Sequence, residues 1–437
     1  MPPIPGRLCS GSVSLVAKLG RPARQAAGIV FVSLLWLPTL QGYTGLVQTE
    51  KLGGVEEPAE AVALSWTTWS DGSWQASYEH RFDHRLGLRD WMVRLDNEAR
   101  LRAFGVAKRP VLRGPGDWLV EEGYLPSTAL VRLRGEAARL LATCAQLRVL
   151  QEVLASRGIA LTVLISPNKV FTVPERLPAA QAMALAALAG RPKQYDVFLR
   201  GLRATGVRVV DCVAFARHLV ATEPPAMPPM FVASGIHWTN YGAARCAIHL
   251  LDELERTAGL DVRNLAVAAI DPGAPDGGEM DMAHLANVVD TTRWRTPLGQ
   301  PVVALRPGDQ GRTVAMLMVG TSFLWGLTST LKLHAVADPL SVYYYDRTRT
   351  DFVGGDSRPP ISLERTADEV LRELPRYDVV VIEASEGALL DLGNGFIERV
   401  LRAFDVEPDS TLGLFGYGEV PPLPSVLEGL LDWGDLR

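Results

Sequence analysis

Four mostly apolar runs, alternating with helical segments, constrain the fold of this chain most strongly. The runs are residues 159–167, 207–212, 313–320 and 378–385, and the helical segments are residues 135–157, 194–205 and 243–257. Strands that are apolar along most of their length are typical of parallel sheets buried on both faces. The sequence therefore predicts an α/β fold in which helices cover both faces of a mostly parallel sheet.

The composition excludes several classes of protein. Hydrophobic residues make up 47% and charged residues 21% of the 437 residues, as in globular rather than disordered proteins. The net charge is −5 and no long basic stretch is present, so we predict no nucleic-acid partner. Four cysteines are too few for a disulfide scaffold. Cys144, Cys212 and Cys246 lie in apolar stretches, which favours buried thiols over one disulfide and one free thiol.

An uncharged stretch, residues 25–49, follows a basic N-terminal segment. Its apolar core, residues 26–42, is long enough for most of a bilayer crossing. By the positive-inside rule, residues 1–25 are predicted to be cytoplasmic, with residues 26–47 as an uncleaved inner-membrane anchor and the bulk of the chain in the periplasm. A cleaved signal peptide and a buried helix of a soluble protein are the alternatives. No A-x-A site and no lipid-anchor cysteine follow the apolar run.

The rest of the chain divides by composition. Residues 48–75 show no clear period and are predicted to form a tether between membrane and domain. We predict one domain over residues 76–410. Within it, residues 258–312 are rich in Asp, Gly and Pro, which indicates an insertion or a long loop. Residues 411–437 are predicted to be a C-terminal tail.

Sites in parallel α/β folds gather at the carboxyl ends of the strands. The polar residues that follow or end the four apolar runs are Asn168 and Lys169, Asp211, Ser322, and Glu383 and Glu386. Lys169 is either a contact for a sugar or an acid, or a solvent-facing lysine in a loop. These strand ends are where we expect the candidate site.

Ser322 and His237 are the candidates for nucleophilic chemistry. Ser322 follows a strand that ends in glycine, in VGTSFLWG, so its hydroxyl could attack while its N–H holds an oxyanion; the alternative is a helix N-cap. His237 lies in the polar loop SGIHWTNYGA, where it could activate a serine, bind a metal or cap a helix. No second His or Cys lies at the spacing of a zinc site, so we predict no metal.

Further motifs surround this pair in a fixed order. The helix GLRDWMVRLDNEARLRAFG precedes Gly-x-Trp-Leu at 116–119, and Pro-x-Lys at 167–169 precedes the pair Pro174 and Glu175. His-Trp, Gly-x-Ser-Phe and the late glutamates follow. Over about residues 75–405 this ordered set resembles the exported alginate-type polysaccharide O-acetyltransferases (AlgJ- and AlgX-like). The resemblance implies a domain similar to the SGNH hydrolase fold.

Two positions depart from the pattern of that family. The family usually has aspartate two residues before the histidine, where this chain has Gly235, and aspartate before the serine, where it has Thr321. A catalytic histidine needs a partner on its second nitrogen, which fixes its tautomer. We expect His237 to be oriented either by a carboxylate from another strand end, Asp211 or Glu383, or by a backbone carbonyl that leaves a Ser–His dyad. The alternative is a protein that has kept only carbohydrate binding.

The resemblance implies transfer of acetyl groups to hydroxyls of an exported polysaccharide, through an acyl-enzyme on Ser322 with His237 as the base. Asn240 and Asn168 are candidate oxyanion donors beside the N–H of Ser322. The implied partners are the polysaccharide acceptor and a multi-span membrane acyltransferase that delivers the acetyl group, and no cofactor is expected. A glycan acetylesterase and a carbohydrate-binding subunit of a polysaccharide assembly are the alternative functions.

Aromatic side chains near these motifs could offer flat faces to sugar rings. Trp238 and Trp325 directly follow the histidine motif and the serine motif, and Tyr344 lies in a run of three tyrosines. Packing in the core is the alternative for all three, and it is the favoured interpretation for Tyr344.

Overall fold

The computed structural model describes residues 21–48, 50–54, 60–108, 110–124, 134–187 and 190–407. Contacts divide the described residues into two units. One runs up to Phe104 and includes Asn287–Val289, and the other comprises Gly105–Ala286 and the residues from Asp290 onward. The predicted tail, residues 411–437, and most of the predicted cytoplasmic segment lie outside the described residues.

The described part of the first unit is helical. Its helices are α1 (Arg21–Thr44), α2 (Trp66–Ser70), α3 (Ser73–Arg85) and α4 (Arg89–Phe104). Among the described residues, one helix, at Gln25–Thr44, is long and apolar enough to cross a membrane. Large apolar side chains along this helix are exposed, among them Ile29, Phe31 and Trp36.

The structure of residues 60–104 differs from two predictions, the tether over residues 48–75 and the domain start at residue 76. The predicted tether, residues 48–75, contains α2, because the side chain of Ser65 accepts from the N–H of Thr68 while the side chain of Thr68 accepts from the N–H of Ser65. The predicted domain start, residue 76, lies inside α3. Since α4 also belongs to the first unit, the second unit begins at Gly105.

The second unit carries the strands and the remaining helices. Its strands are β1 (Val111–Arg113), β2 (Leu119–Glu121), β3 (Ala160–Ser166), β4 (Val209–Asp211), β5 (Leu265–Gly273), β6 (Leu298–Leu305), β7 (Val314–Gly320), β8 (Ala337–Tyr344), β9 (Thr348–Val353), β10 (Asp356–Ser357), β11 (Ile361–Ser362) and β12 (Val379–Ser385). Its helices are α5 (Arg134–Ala155), α6 (Lys169–Thr172), α7 (Ala179–Ala187), α8 (Gln194–Thr205), α9 (Cys212–Thr222), α10 (Asn240–Ala258), α11 (Asp281–Leu285), α12 (Leu324–Leu331), α13 (Ala367–Glu373) and α14 (Phe396–Ala403).

The main sheet is mostly parallel, as predicted. The strands β4, β3, β12, β7 and β8 are parallel neighbours in this order. β9 extends the sheet antiparallel beside β8, and β10 and β11 pair with β9. The four apolar runs form β3, β4, β7 and β12, each within two residues of its predicted bounds. The α/β fold predicted from the sequence is confirmed.

Helices cover both faces of this sheet, and the central strand β12 shows why its first four residues are all apolar. Val380 and Ile382 pack into a core that α5, α8 and α14 share, whereas Val379 and Val381 pack into a second core with α10 and α12. Successive side chains of a strand point to opposite faces, so residues 379–382 are all apolar. The same two cores enclose the free thiols Cys144, Cys212 and Cys246.

The region predicted as an insertion or long loop, residues 258–312, folds into a hairpin. β5 and β6 pair antiparallel from Leu265 opposite Leu305 to Gly273 opposite Leu298. The Asp- and Gly-rich stretch that suggested a loop is the connection between these strands, and it contains α11. This connection supplies part of the candidate site.

Candidate active site

Ser322 lies at the carboxyl edge of the sheet, directly after β7. The strand ends at Gly320, and α12 begins at Leu324. Gly320 has no room for a side chain, because an added Cβ would lie 2.6 Å from Oε2 of Glu383 and 2.7 Å from its carbonyl oxygen. The close packing of β7 on β12 thus places Ser322, half-buried, at the wall of a cavity.

His237 lies in the loop before α10, within hydrogen-bond distance of Ser322. The side chain of Thr239 accepts from the N–H of Gly242 and so caps α10 directly after the histidine. Nε2 of His237 is 2.7 Å from Oγ of Ser322. The ring of Phe323 packs edge-on against the imidazole, with 4.8 Å between ring centroids. The fold therefore brings together the two residues that the motifs single out.

The second nitrogen of His237 faces Asp281, a residue that the motifs do not single out. Nδ1 of His237 is 2.5 Å from Oδ2 of Asp281, and the N–H of Ile236 donates to Oδ1 at 2.8 Å. A carboxylate on Nδ1 keeps a proton there, so that Nε2 can accept the hydroxyl proton of Ser322. Asp281, His237 and Ser322 form one hydrogen-bonded chain, which we call the candidate triad.

Asp211, one of the two carboxylates expected to orient His237, is held elsewhere. It caps α9 by accepting from the N–H of Ala214 at 2.9 Å. It also accepts from the hydroxyl of Tyr195 at 2.8 Å. The expectation for Asp211 is therefore wrong, because capping and the tyrosine hydroxyl already occupy its oxygens.

Glu383, the other expected partner of His237, instead supports the turn before the serine. Its fully buried carboxylate accepts from the N–H and from the hydroxyl of Thr321, at 2.8 and 2.9 Å. Burial raises the pKa of Glu383. An aspartate at position 321 would set a second carboxylate against this one, so the threonine fits the buried glutamate. The orienting role expected for Glu383 is wrong, and Asp281 makes that contact.

Gly235 lets the segment that carries Asp281 approach His237. An added Cβ at Gly235 would lie 2.6 Å from the carbonyl oxygen of Gly278 and 3.0 Å from Cα of Glu279. The hydroxyl of Ser234 donates to the carbonyl of Glu279 at 2.5 Å. The two segments therefore pack backbone against backbone, and a side chain at position 235 would separate them.

Lys169 stabilises the same loop from its other side and does not face solvent. Its ammonium group donates to the carbonyls of Leu119 (2.8 Å) and Gly235 (2.6 Å), with Ala233 at 3.3 Å. The side chain is almost fully buried, and burial lowers the pKa of Lys169 to about 7. Lys169 is thus neither a sugar contact nor a surface lysine, since it joins β2 to the loop before the histidine.

The depressed pKa of Lys169 predicts a specific pH dependence of stability. Between about pH 7 and pH 10.5 the unfolded chain holds a proton on Lys169 that the folded chain has lost, so stability rises with pH. From pH 7 to pH 9 we expect the free energy of unfolding to gain about 2 kcal/mol from this group. Urea unfolding should show the gain in the wild type and in the exposed-site control Lys108→Met. An equal gain in Lys169→Met would contradict the assignment.

Asn168 and Glu386 stabilise the carboxyl edge of the sheet and do not line the cavity. The side chain of Asn168 caps α6 by accepting from the N–H of Val170 at 2.9 Å. Glu386 accepts from the N–H of Asn168 and from Arg217, both at 2.9 Å. Burial raises the pKa of Glu386 to about 7. The role expected for Asn168 as an oxyanion donor does not fit this position.

A cavity of about 640 Å³ opens in front of Ser322. Its walls come from the candidate triad, the β5–β6 hairpin with its connection, and α12. Of the predicted contact residues, Asn240, Trp238 and Trp325 line it. Tyr344 lies beside Trp325, with 5.5 Å between ring centroids, and is not among the lining residues.

Comparisons with known proteins show which protein family and which solved structures this chain resembles. The family model of the SGNH hydrolase-like domain of acetyltransferase AlgX matches residues 111–323. Among solved structures, the O-acetyltransferase domain of Pseudomonas putida AlgJ is similar at 19% identity, covering 64% of this chain and 92% of that chain with a TM-score of 0.40.

Two further solved structures are similar at lower identity. Pseudomonas aeruginosa AlgX is 16% identical, covering 65% of this chain and 67% of that chain with a TM-score of 0.41. Bacillus cereus PatB1 with a sulfonyl adduct is 12% identical, covering 64% and 97% with a TM-score of 0.40. A search of curated proteins gives no match. Residues 111–323, which contain the candidate triad, belong to the family of SGNH hydrolase-like acetyltransferase domains to which AlgX belongs.

Proposed function

We propose that this protein transfers acetyl groups to hydroxyls of an exported polysaccharide, with Ser322 as nucleophile, His237 as general base and Asp281 as the residue that orients the histidine. The observation that carries the proposal is the hydrogen-bonded chain from Asp281 through His237 to Ser322 at the wall of an open cavity. A nucleophile, a base and an orienting acid in this order are the parts that acyl transfer through a serine ester requires.

The reaction proceeds in two displacements. In the first, Nε2 of His237 accepts the hydroxyl proton of Ser322 while Oγ forms a bond to the acetyl carbonyl carbon of the donor. The donor oxygen leaves with the proton from His237, and the acetyl group stays on Ser322 as an ester. In the second, His237 takes the proton of a sugar hydroxyl, the sugar oxygen attacks the ester, and Oγ of Ser322 recovers the proton.

The N–H of Ser322 is the oxyanion donor in this mechanism, because it lies next to the carbon that becomes tetrahedral. Asn240 lines the same cavity, but its side-chain amide already donates to Asp276 at 3.1 Å and to Gln300 at 2.9 Å. Both of these contacts already use the amide hydrogens of Asn240, and in the proposal the polar network around Asn240 binds the acceptor.

In the proposal, the reaction takes place outside the cytoplasm, next to the inner membrane. The helix at Gln25–Thr44 anchors the chain in the inner membrane, and the second unit lies in the periplasm. Acetyl-CoA does not reach that compartment, so a multi-span membrane acyltransferase delivers the acetyl group. The basic residues before the helix support this orientation.

Intact mass of the full chain in detergent, after incubation with a reactive acetyl ester, tests the proposal. We expect the wild type to gain one acetyl group and both Ser322→Ala and His237→Ala to gain none. Added oligosaccharide should then discharge the adduct with formation of an acetylated sugar, whereas an esterase would release acetate at the same rate without it. A wild type that forms no adduct and turns over no ester would contradict the mechanism.

A further inference from the structure

The cavity extends well beyond the candidate triad. From Ser322 it runs between α12, which contributes Trp325 and Ser329, and the hairpin, which contributes Gln300 and Val303. Its volume of about 640 Å³ is typical of sites that enclose a whole small-molecule ligand and is far more than an acetyl group needs. The space between hairpin and α12 is therefore available to the acceptor.

The wall of this space carries groups that bind hydroxyls. Asn240 donates to both Asp276 and Gln300, and all three residues line the cavity. An oxygen that accepts one hydrogen bond keeps a further lone pair that can accept from a hydroxyl. Trp325 adds a half-buried ring. The indole N–H of Trp238 is buried and has no partner among the described residues, although Trp238 lines the same space.

The charges around this space are of one sign. Asp276 is exposed at the wall, and Asp281 lines the cavity with 29% of its side chain exposed. Glu121 lies close enough that the charge of Asp281 contributes, after burial, to raising its pKa. No lysine or arginine is among the described residues that line the cavity. Lys169 is directed to backbone carbonyls instead.

We propose that the acceptor is a glycan without carboxylate groups, and that Asp276, Asn240 and Gln300 bind the hydroxyls of its sugar beside Ser322. This inference rests on the proposed function. A polyuronate carries a carboxylate on every sugar, and in this cavity that charge would face Asp276 and Asp281 with no cation to pair it. Like charges brought together in this way exclude a ligand even where its shape fits.

A matched pair of acceptors tests the inference. The acetyl-enzyme of the full chain is prepared in detergent with a reactive acetyl ester, and its discharge is followed by intact mass. One sample receives a β-1,4-linked gluco-oligosaccharide, and the other the same oligosaccharide oxidised to the carboxylate at C6. We expect transfer to the neutral acceptor to be at least about tenfold faster, and the ratio to shrink as salt screens the repulsion.

A charge added to the wall provides a second test. Ser329 is exposed on α12 and lines the cavity. The variant Ser329→Lys places a cation there, and Ser329→Gln is its uncharged control of similar length. The preference is the ratio of the transfer rate to the neutral acceptor over that to the carboxylated acceptor. We expect this ratio to be at least about fivefold smaller in the lysine variant than in the glutamine variant.

The outcomes separate the inference from the proposed function. An acetyl-enzyme that is discharged faster by the carboxylated acceptor, or by neither acceptor, would overturn the inference and leave the nucleophile established. A preference that is the same in Ser329→Lys and Ser329→Gln would overturn the electrostatic explanation. Absence of the acetyl-enzyme would overturn the proposed function, and the inference with it.

Discussion

Replacing Asp281 with asparagine is expected to lower the rate of acetyl-enzyme formation by about 10³- to 10⁴-fold. In the proposed mechanism the carboxylate accepts a hydrogen bond from the N–H at Nδ1 of His237 and stabilises the positive charge that the imidazole gains when Ser322 attacks. An amide at this position can present its NH₂ group to Nδ1, which moves the ring proton to Nε2 and removes the base. Intact mass spectrometry of samples quenched at set times after addition of the acetyl ester measures the rate of acetyl-enzyme formation.

Asp211→Asn is the matched control for this variant. It makes the same chemical change at the carboxylate that the strand-end pattern favours, and an asparagine still caps α9. We expect its rate to stay within about threefold of the wild type, because Asp211 contacts Ala214 and Tyr195 and no residue of the candidate triad. A large loss in Asp211→Asn together with a small one in Asp281→Asn would contradict the candidate triad.

Introducing aspartate at position 235 is expected to lower activity by about a hundredfold, although it recreates the Asp-x-His pattern of the family. A Cβ there meets the carbonyl of Gly278 at 2.6 Å, so the segment must move away and take Asp281 with it. A displacement of about 1 Å at a reacting group costs about this much in rate. We also expect a loss of about 1–3 kcal/mol in the free energy of unfolding from overpacking.

Gly235→Ala separates the steric effect from the charge, because alanine adds only the Cβ. We expect it to lose most of the activity that Gly235→Asp loses, and urea unfolding together with acetyl-enzyme formation measures both effects. Full activity in Gly235→Asp combined with Asp281→Asn would show instead that the aspartate before the histidine can replace Asp281, against the packing described above.

The parts of the molecule that the sequence predicts are those with a local signal. Residues 379–382 of β12 are all apolar because both faces of the strand are buried, and Ser322 and His237 each lie in a short motif next to a predictable element. Asp281 has no such signal. It lies 44 residues after the histidine, at the start of a five-residue helix in a stretch whose composition suggests a loop.

Long-range contacts explain the other differences between expectation and structure. Asp211 and Lys169 both occupy the strand ends that the rule for parallel sheets identifies. Their partners outside the local chain, the hydroxyl of Tyr195 for one and three backbone carbonyls for the other, depend on how helices and loops pack. The reciprocal capping turn from Asp276 to Glu279 is the one local pattern near the missed acid, and it predicts a turn rather than a catalytic residue.

The contact between Gly235 and Gly278 also determines which part of the protein limits the temperature range over which it stays active. Asp281 lies in the connection between β5 and β6. In this connection Glu279 accepts hydrogen bonds from the N–H of Asn240 (2.8 Å) and from the side chain of Gln300 (3.1 Å). Local opening breaks these bonds and the bond between Ser234 and Glu279, and it exposes Met280 and Met282, whereas the sheet unfolds only when both cores are exposed. His237 would then lose its contact with Asp281 in a molecule that is otherwise native. We therefore expect activity to be lost on heating when this connection opens, before the domain unfolds globally.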